Sequence, residues 1–298
     1  MGPSMFITLG MGCVMVLGGV DLSAGRVAGL TACVSASLLQ LPIAEYSEKM
    51  FPGLAPPPFI VVILIAMAIG AAIGALNGFC VVKFKVHPYI VTLAMQLVVY
   101  GITLWYVSLC GNEGHPIAGL TDEYKQFVKG TIHIGDINEI GFYIPYYVFY
   151  AAIAIVIMWF IWNRTALGKK MFAVGADPEA ARASGVSVMG TTVMVFALAG
   201  VLFGLAGFIE AARSGSNSPT TGLNMEYGPI LVCLIGGASL KGGSGKISGI
   251  IVGTLMYHII SWWLMFIYQF ETGILLLVFA AFSTRKEWLR IKLPNRSI

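Results

Sequence analysis

Five long runs of apolar residues dominate the chain, separated by short polar connections. A helix of about 20 apolar residues crosses a bilayer, and runs that approach or exceed this length lie at residues 59–82, 88–110, 141–163, 188–212 and 247–267. Four shorter apolar segments lie at residues 4–20, 26–40, 228–240 and 273–284. Their length leaves them open as tilted spans, broken helices or re-entrant pieces. The pattern predicts an all-α integral membrane protein with about nine membrane segments, in a single domain over residues 1–298.

Composition favours a membrane-embedded fold over a soluble one. Hydrophobic residues make up 57% of the 298 residues and charged residues only 11%, against roughly one-quarter charged residues in soluble domains. The net charge of +4 follows from basic residues near helix ends, so it does not indicate a nucleic-acid partner. The five cysteines lack metal-ligand spacing and are interpreted as small buried hydrophobic residues: Cys13, Cys33, Cys80, Cys110 and Cys233.

Basic residues near helix ends indicate which loops face the cytoplasm. They cluster at Lys83 and Lys85, in a loop over residues 164–187, and in the tail over residues 285–296. The predominantly acidic segment 111–140 then lies on the outer side.

Because successive membrane segments cross in alternate directions, the side of each remaining loop and of the N-terminus is also predicted. This alternation places Arg26, Lys241 and Lys246 in the cytoplasm and leaves Met1 outside. Residues 1–20 carry no charged, cleavable signal-peptide pattern that would explain export of the N-terminus. We therefore expect a further helix before Met1, and a ten-helix fold with both ends in the cytoplasm.

Two glycine-rich passages resemble each other: GGVDLSAGRVAGL at residues 18–30 and GGASLKGGSGKISGI at residues 236–250. Each pairs two glycines with a polar residue, a leucine and a further glycine before an apolar helix. Their shared orientation in the predicted topology indicates a duplicated unit, although glycines also simply permit close helix packing. Asp21, which is costly inside a bilayer, is predicted to cap a helix start at the membrane edge.

The loop over residues 163–188 contains its own short helix. Asp177 suits the N-cap, Pro178 the first helical position, Glu179 the positive helix end, and Gly185 a left-handed helix end. We predict a helix of about two turns over residues 178–184. Its small alanine side chains would permit docking into a groove on a soluble partner. The alternative is an ordinary surface turn.

Three passages resemble permeases of the ribose, galactose and methyl-galactoside class of ATP-binding-cassette importers: GGVDLSAGR, GADPEAARASGV and FIEAARSGSNSPTTGLNMEYGPILVCLIGGASLKGGSGK. The resemblance extends over nearly the whole chain, and the string DLSAGR at residues 21–26 is most similar to the galactose/methyl-galactoside members. It implies a ten-helix permease subunit that works as a homodimer in the bacterial inner membrane. The resemblance also implies a periplasmic or lipid-anchored sugar-binding protein and an ATPase on which the 177–185 helix is seated.

The residues that this resemblance places against the ATPase lie at and just before the short helix. They are Gly175, Asp177, Pro178, Glu179, Ala180, Arg182 and Gly185.

No catalytic, metal or phosphate-binding spacing is present in the sequence. The string GGSGK at residues 242–246 lacks the first glycine and the following Ser or Thr of a Walker A loop. We therefore expect no enzyme activity and no cofactor bound by this chain, with ATP hydrolysed by the separate ATPase subunit.

Polar residues within the apolar spans are candidates for lining a sugar pathway, because amides and aromatic faces suit a neutral, hydroxyl-rich substrate. Each also has a structural interpretation, as a helix-to-helix hydrogen bond, a satisfied interior group or an interfacial aromatic. The candidates are Asn77, Thr92, Gln96, Tyr100, Glu210, Arg213, Asn217, His258 and Trp262. Glu210 and Arg213, one helical step apart, are expected to form an ion pair at the outer end of their span.

Other functions stay open at this point. The alternative substrate is ribose or a nucleoside, since a separate binding protein usually selects the sugar. An ion-driven secondary transporter would also show repeats but should bury more ionisable groups at the membrane midplane. A channel or a structural partner would have no need of the capped helix.

Overall fold

The computed structural model describes residues 2–41, 49–137 and 140–267. These residues fall into two compact units, Met1–Thr254 and Leu255–Ile298, which we describe separately. The predicted apolar segment 273–284 and the basic tail 285–296 lie outside the described residues.

Over the described ranges the chain is mainly helical. In chain order the α-helices are α1 (Gly2–Val16), α2 (Ala24–Leu38), α3 (Phe59–Phe84), α4 (Pro88–Val107), α5 (Asp122–Lys129), α6 (Tyr146–Arg164), α7 (Ala166–Ala176), α8 (Pro178–Ala183), α9 (Val188–Ser214), α10 (Tyr227–Ile235) and α11 (Ile247–Ile267). The two strands are β1 (Thr131–Ile137) and β2 (Ile140–Pro145).

The long helices α3, α4, α6, α9 and α11 are long and apolar enough to cross a membrane. They confirm the five predicted spans and the all-α membrane class. α4 ends at Val107 and is followed by a 3-10 turn at Leu109–Gly111, so the predicted span to residue 110 was slightly too long.

The connection between α4 and α6 holds structure that the sequence did not predict. β1 and β2 form an antiparallel hairpin with an irregularity between His133 and Gly135. Its second strand occupies the start of the predicted span 141–163, so α6 begins only at Tyr146. Pro145, which cannot donate a backbone N–H, stands at the strand end and at the N-cap of α6. Hydropathy alone does not separate an apolar strand from the helix that follows it.

The buried helices α1 and α9 form the centre of the core, and α3 packs closely along α9. Gly70 of α3 and Gly200 of α9 face each other so closely that a methyl group on either would overlap the carbonyl oxygen of the other. Small residues at membrane helix interfaces permit such contact between backbones. In contrast, α3, α4 and α6 each leave one face of large apolar side chains exposed, as expected for lipid contact.

Within the described residues, the short apolar segments form the short helix α1 and the two broken helices α2 and α10. α2 follows a non-helical stretch over residues 17–23, and α10 follows one over residues 215–226. The end of α1 lies beside the basic loops, because Gly19 contacts Pro88 and the carbonyl of Val16 accepts a hydrogen bond from Gly243. The far end of α2 lies beside the acidic segment, where the N–H of Thr121 donates to the carbonyl of Leu39. The basic loops and the acidic segment therefore lie at opposite ends of the helices.

The placement of Arg26 in the cytoplasm was wrong. Arg26 lies in the first turn of α2 with a half-buried side chain. Its guanidinium lies 4.3 Å from the ring centre of Tyr100 in α4, and its Nη1 donates to the carbonyl of Pro219 at 3.1 Å. Cation–π contact and a carbonyl acceptor satisfy the charge inside the protein, so this arginine does not report on loop orientation.

The orientation predicts which exposed positions can be labelled from outside an intact cell. Asp122 and Lys169 are both exposed and lie at opposite ends of the helices. With the partly accessible Cys80 and the exposed Cys110 replaced by serine, we expect an impermeant maleimide to label Asp122→Cys but not Lys169→Cys. Permeabilised cells serve as the control and should label both. Labelling of position 169 alone in intact cells would show that the topology is the reverse of the predicted one.

Candidate functional site

A buried polar cluster lies where α2 begins. Oδ1 of Asp21 accepts the backbone N–H of Ser23 at 2.9 Å and the Ser23 hydroxyl at 2.6 Å. Nδ2 of Asn77, from α3, donates to the Ser23 hydroxyl at 2.9 Å and reaches Oδ2 of Asp21 at 3.5 Å. Asp21 is 1% exposed. It therefore forms a buried turn before the helix rather than the predicted cap at the membrane edge.

Thr92 of α4 fixes the extended chain that leads into α2. Its hydroxyl accepts the N–H of Leu22 at 3.1 Å and lies 3.2 Å from the carbonyl oxygen of Val20, to which it can donate. Backbone polar groups outside a helix need partners at membrane depth, since no water is available there. Thr92 provides that partner, and this explains how residues 20–23 stay non-helical.

A second carboxylate stands directly before α10. Glu226 is fully buried, and its Oε1 lies 3.4 Å from Nε2 of Gln96 in α4. Its carboxylate packs against Gly25, where a methyl group would overlap it. Arg26 and Tyr100 lie in the neighbouring turns of α2 and α4, and both are half-buried. The starts of the two broken helices thus meet at one polar cluster.

Two buried oxygen atoms of this cluster, Oδ1 of Asn77 and Oε2 of Glu226, have no hydrogen-bond partner among the described residues. Leaving such atoms unpaired is costly, so they are unusual in a purely structural core. Broken helices whose ends meet at polar groups are the arrangement in which many transporters bind their substrates.

The candidates Glu210, Arg213 and Asn217 lie in a separate group at the end of α9. Arg213 donates to both carboxylate oxygens of Glu210, each at 2.7 Å, which confirms the predicted ion pair. Asn217 donates to the carbonyl of Ala211, and its backbone pairs with Ile117 of the acidic segment. These contacts fix the outer end of α9 and do not join the polar cluster of α2 and α10.

His258 and Trp262 belong to the second unit. The ring of His258 meets that of Tyr257 edge-on at 5.4 Å, and Trp262 is 59% exposed. Their role in a pathway stays a prediction.

The predicted short helix is present as α8, over Pro178–Ala183. Oδ1 of Asp177 accepts the N–H groups of Glu179 at 2.8 Å and Ala180 at 3.0 Å. Gly185 has φ +81° and ends the helix as predicted. Ala181 is the one buried residue of α8.

Apart from Ala181, the surface of α8 is exposed. Pro178, Glu179, Ala180 and Arg182 are all exposed. α8 is anchored through one alanine and its caps, and it presents the rest of its surface to solvent.

Sequence reasoning identified Asn77, Thr92, Gln96 and Tyr100, which the structure brings together. It missed Glu226 as a member of the same cluster. The signal was available, because an ionisable residue next to an apolar membrane segment is a functional candidate by default. Among the described residues no group of His, Cys, Asp and Glu side chains is arranged to hold a metal ion.

Comparison with known proteins agrees with this architecture. The family described as branched-chain amino acid transport system / permease component matches residues 2–282. The galactose/methyl galactoside import permease protein MglC of Salmonella typhimurium is 40% identical over 263 residues, covering 88% of this chain and 76% of that protein. The Escherichia coli K12 protein of the same name is 39% identical over the same shares.

The Escherichia coli K12 ribose import permease protein RbsC is 34% identical over 251 residues, which cover 84% of this chain and 70% of that protein. No solved structure matches the chain. The predicted resemblance to galactose and ribose permeases is thus confirmed. With five apolar spans and two broken helices that meet at a buried polar cluster, the chain belongs to the branched-chain amino acid transport system / permease component family and is a multi-pass membrane permease.

Proposed function

We propose that this permease carries a galactose-type monosaccharide or simple glycoside into the cell as the membrane subunit of an ATP-binding-cassette importer. The substrate class follows from the galactose/methyl galactoside relatives, three of which are 37% to 40% identical to this chain. The chain itself binds no cofactor in this proposal. ATP is hydrolysed by a separate ATPase subunit.

The observation that carries the proposal is the exposed, capped helix α8. A helix of six residues with one buried side chain contributes little to the fold by itself. Its caps hold its shape, and the exposed surface is available to a soluble partner. Because α8 follows α7 at the end of the molecule that carries the basic loops, it faces the compartment in which ATP is hydrolysed.

The polar cluster is chemically suited to a neutral sugar. Gln96 and Tyr100 offer an amide and an aromatic face, and both are partly accessible. Arg26 contacts the Tyr100 ring and the carbonyl of Pro219, and Oε1 of Glu226 lies beside Gln96. Oε2 of Glu226 has no hydrogen-bond partner among the described residues and is available to a sugar hydroxyl. Hydroxyl groups of a sugar can accept from and donate to such amides without a net charge to neutralise.

The proposal includes a homodimer of the permease and a periplasmic or lipid-anchored binding protein that delivers the sugar at the outer end. Closure of two ATPase subunits would move both copies of α8 and exchange outward and inward openings. Lipid surrounds the exposed apolar faces of α3, α4 and α6.

The substrate assignment is tested by uptake of radiolabelled galactose into cells that produce the permease together with its ATPase and sugar-binding protein. We expect galactose uptake that unlabelled methyl galactoside inhibits and ribose does not. Inhibition by ribose alone would assign the ribose class instead, which the 34% identity to ribose permeases makes the second candidate.

A further inference from the structure

Three separate backbone passages meet beside α8 without side chains between them. They are the end of α1 at Val16 and Gly18, the end of α7 at Gly175, and the loop after α10 at Gly242 and Gly243. The N–H of Gly243 donates to the carbonyl of Val16 at 2.8 Å. We call this contact region the glycine junction.

Each passage approaches the others too closely for a side chain. A methyl group on Gly175 would overlap the carbonyl oxygen of Val16 and lie 2.8 Å from the nitrogen of Gly243. One on Gly242 would lie 2.5 Å from the oxygen of Gly175 and 2.8 Å from the nitrogen of Gly18. Gly18, Gly242 and Gly243 also have φ values of +85°, +87° and +73°, which side chains disfavour.

Along the chain, the passages of the junction connect α8 to the segments that carry the polar cluster. Gly175 lies two residues before Asp177, the cap of α8. Gly18 lies three residues before Asp21, at the entrance to α2. Gly242 and Gly243 lie in the loop after α10, and α10 itself begins directly after Glu226. The duplicated glycine passages of the sequence therefore meet each other and the segment that leads into α8.

We propose that the glycine junction is the rigid joint through which displacement of α8 moves α2 and α10 together. This inference rests on the proposed coupling of α8 to an ATPase. Backbones in direct contact contain no side-chain rotamer that could absorb a displacement, and closely packed elements transmit it. The glycines act as positioning residues, and they touch neither sugar nor nucleotide.

The first test is Gly175→Ala in the permease assembled with its ATPase and binding protein. Gly175 is helical, so alanine suits its backbone, and the substitution disturbs only the contacts of position 175 with Val16 and Gly243. We expect sugar uptake to fall by about tenfold, the size typical of altered coupling between sites. The resemblance placed Gly175 against the ATPase, but in the structure it is buried in α7 and is not part of the exposed surface of α8. Binding of the ATPase and its activity without sugar should therefore stay unchanged. The matched control is Gly101→Ala, a helical glycine with nothing within 4 Å, which should transport normally.

A second variant decides the matter if Gly175→Ala fails to reach the membrane. A side-chain carbon at position 245 would lie 3.0 Å from Cγ2 of Val16, so Val16→Cys with Gly245→Cys can form a disulfide. A rigid joint tolerates this bond, and uptake by the oxidised protein should equal uptake after reduction. Loss of uptake on oxidation, restored by reduction, would show that the junction opens during transport and would overturn the proposal.

The experiments distinguish failure of the proposed coupling role of α8 from failure of the proposed role of the glycine junction. If Glu179→Lys in α8 abolishes coupling while Gly175→Ala transports normally, the coupling role of α8 stands and the junction does not transmit it. If both variants transport normally, the coupling of α8 itself is wrong. Loss in both, with the oxidised cysteine pair active, is the result that we expect.

Discussion

Asp21→Ala is expected to destabilise the permease more than any other single substitution in the polar cluster. The carboxylate accepts the N–H and hydroxyl of Ser23 and the amide of Asn77. Alanine leaves a backbone N–H without a partner at a depth where water does not replace it. We expect a loss of about 3 kcal/mol in the free energy of unfolding, since each unpaired buried group costs about 1–3 kcal/mol.

The measurement is the midpoint temperature of thermal unfolding of the purified protein in detergent, together with the amount of protein in the membrane. Asp21→Asn is the matched control, because its side-chain oxygen can still accept the N–H of Ser23. It should retain most of the stability, whereas Asp21→Ala should unfold at a clearly lower temperature. Equal midpoints for Asp21→Ala and the unaltered protein would contradict the structural role assigned to this carboxylate.

Glu179→Lys is expected to abolish sugar uptake while leaving the permease in the membrane at normal amounts. The substitution reverses a charge in the first turn of α8, where the helix dipole favours an anion, and it alters the exposed surface offered to the ATPase. Because Glu179 is exposed and lies far along the chain from the polar cluster, folding should be little affected. Uptake and sugar-stimulated ATPase activity are measured together in the reconstituted complex.

The matched control for this substitution is Glu123→Lys. Glu123 is also an exposed acid in the first turn of a short helix, α5, but at the opposite end of the molecule. It should leave stimulation of the ATPase unchanged. Normal uptake by Glu179→Lys, with the ATPase still bound, would reduce α8 to a surface turn.

The long spans were predictable because twenty apolar residues leave few alternatives in a membrane protein. The caps of α8 were predictable for a similar local reason, since Asp177, Pro178 and Gly185 each have a strong preference for one position at a helix end. Signals of this kind depend only on neighbours in sequence, so they can be recognised without knowledge of the fold.

The errors arose where distant contacts decide the outcome. Arg26 is a residue type that usually marks a cytoplasmic loop, but its charge is satisfied within the protein by Tyr100 and the carbonyl of Pro219. Asp21 has the position of a cap, but Ser23 and Asn77 hold it as a buried turn.

The glycine passages show the same limit. Their repetition was visible in the sequence, yet glycine preference alone does not reveal which backbones will meet. Only the fold brings Gly18, Gly175 and Gly242 together.

The most direct test of ATP-driven import compares energy sources for the movement of galactose out of loaded proteoliposomes. The vesicles contain the permease and its ATPase with α8 facing the medium, and the binding protein is enclosed in the lumen. With MgATP added to the medium, we expect export of loaded galactose from the lumen, which is equivalent to import into a cell. A proton or sodium gradient alone should move none. Movement of galactose driven by an ion gradient, in vesicles that lack the ATPase, would contradict ATP-driven import and identify a secondary transporter.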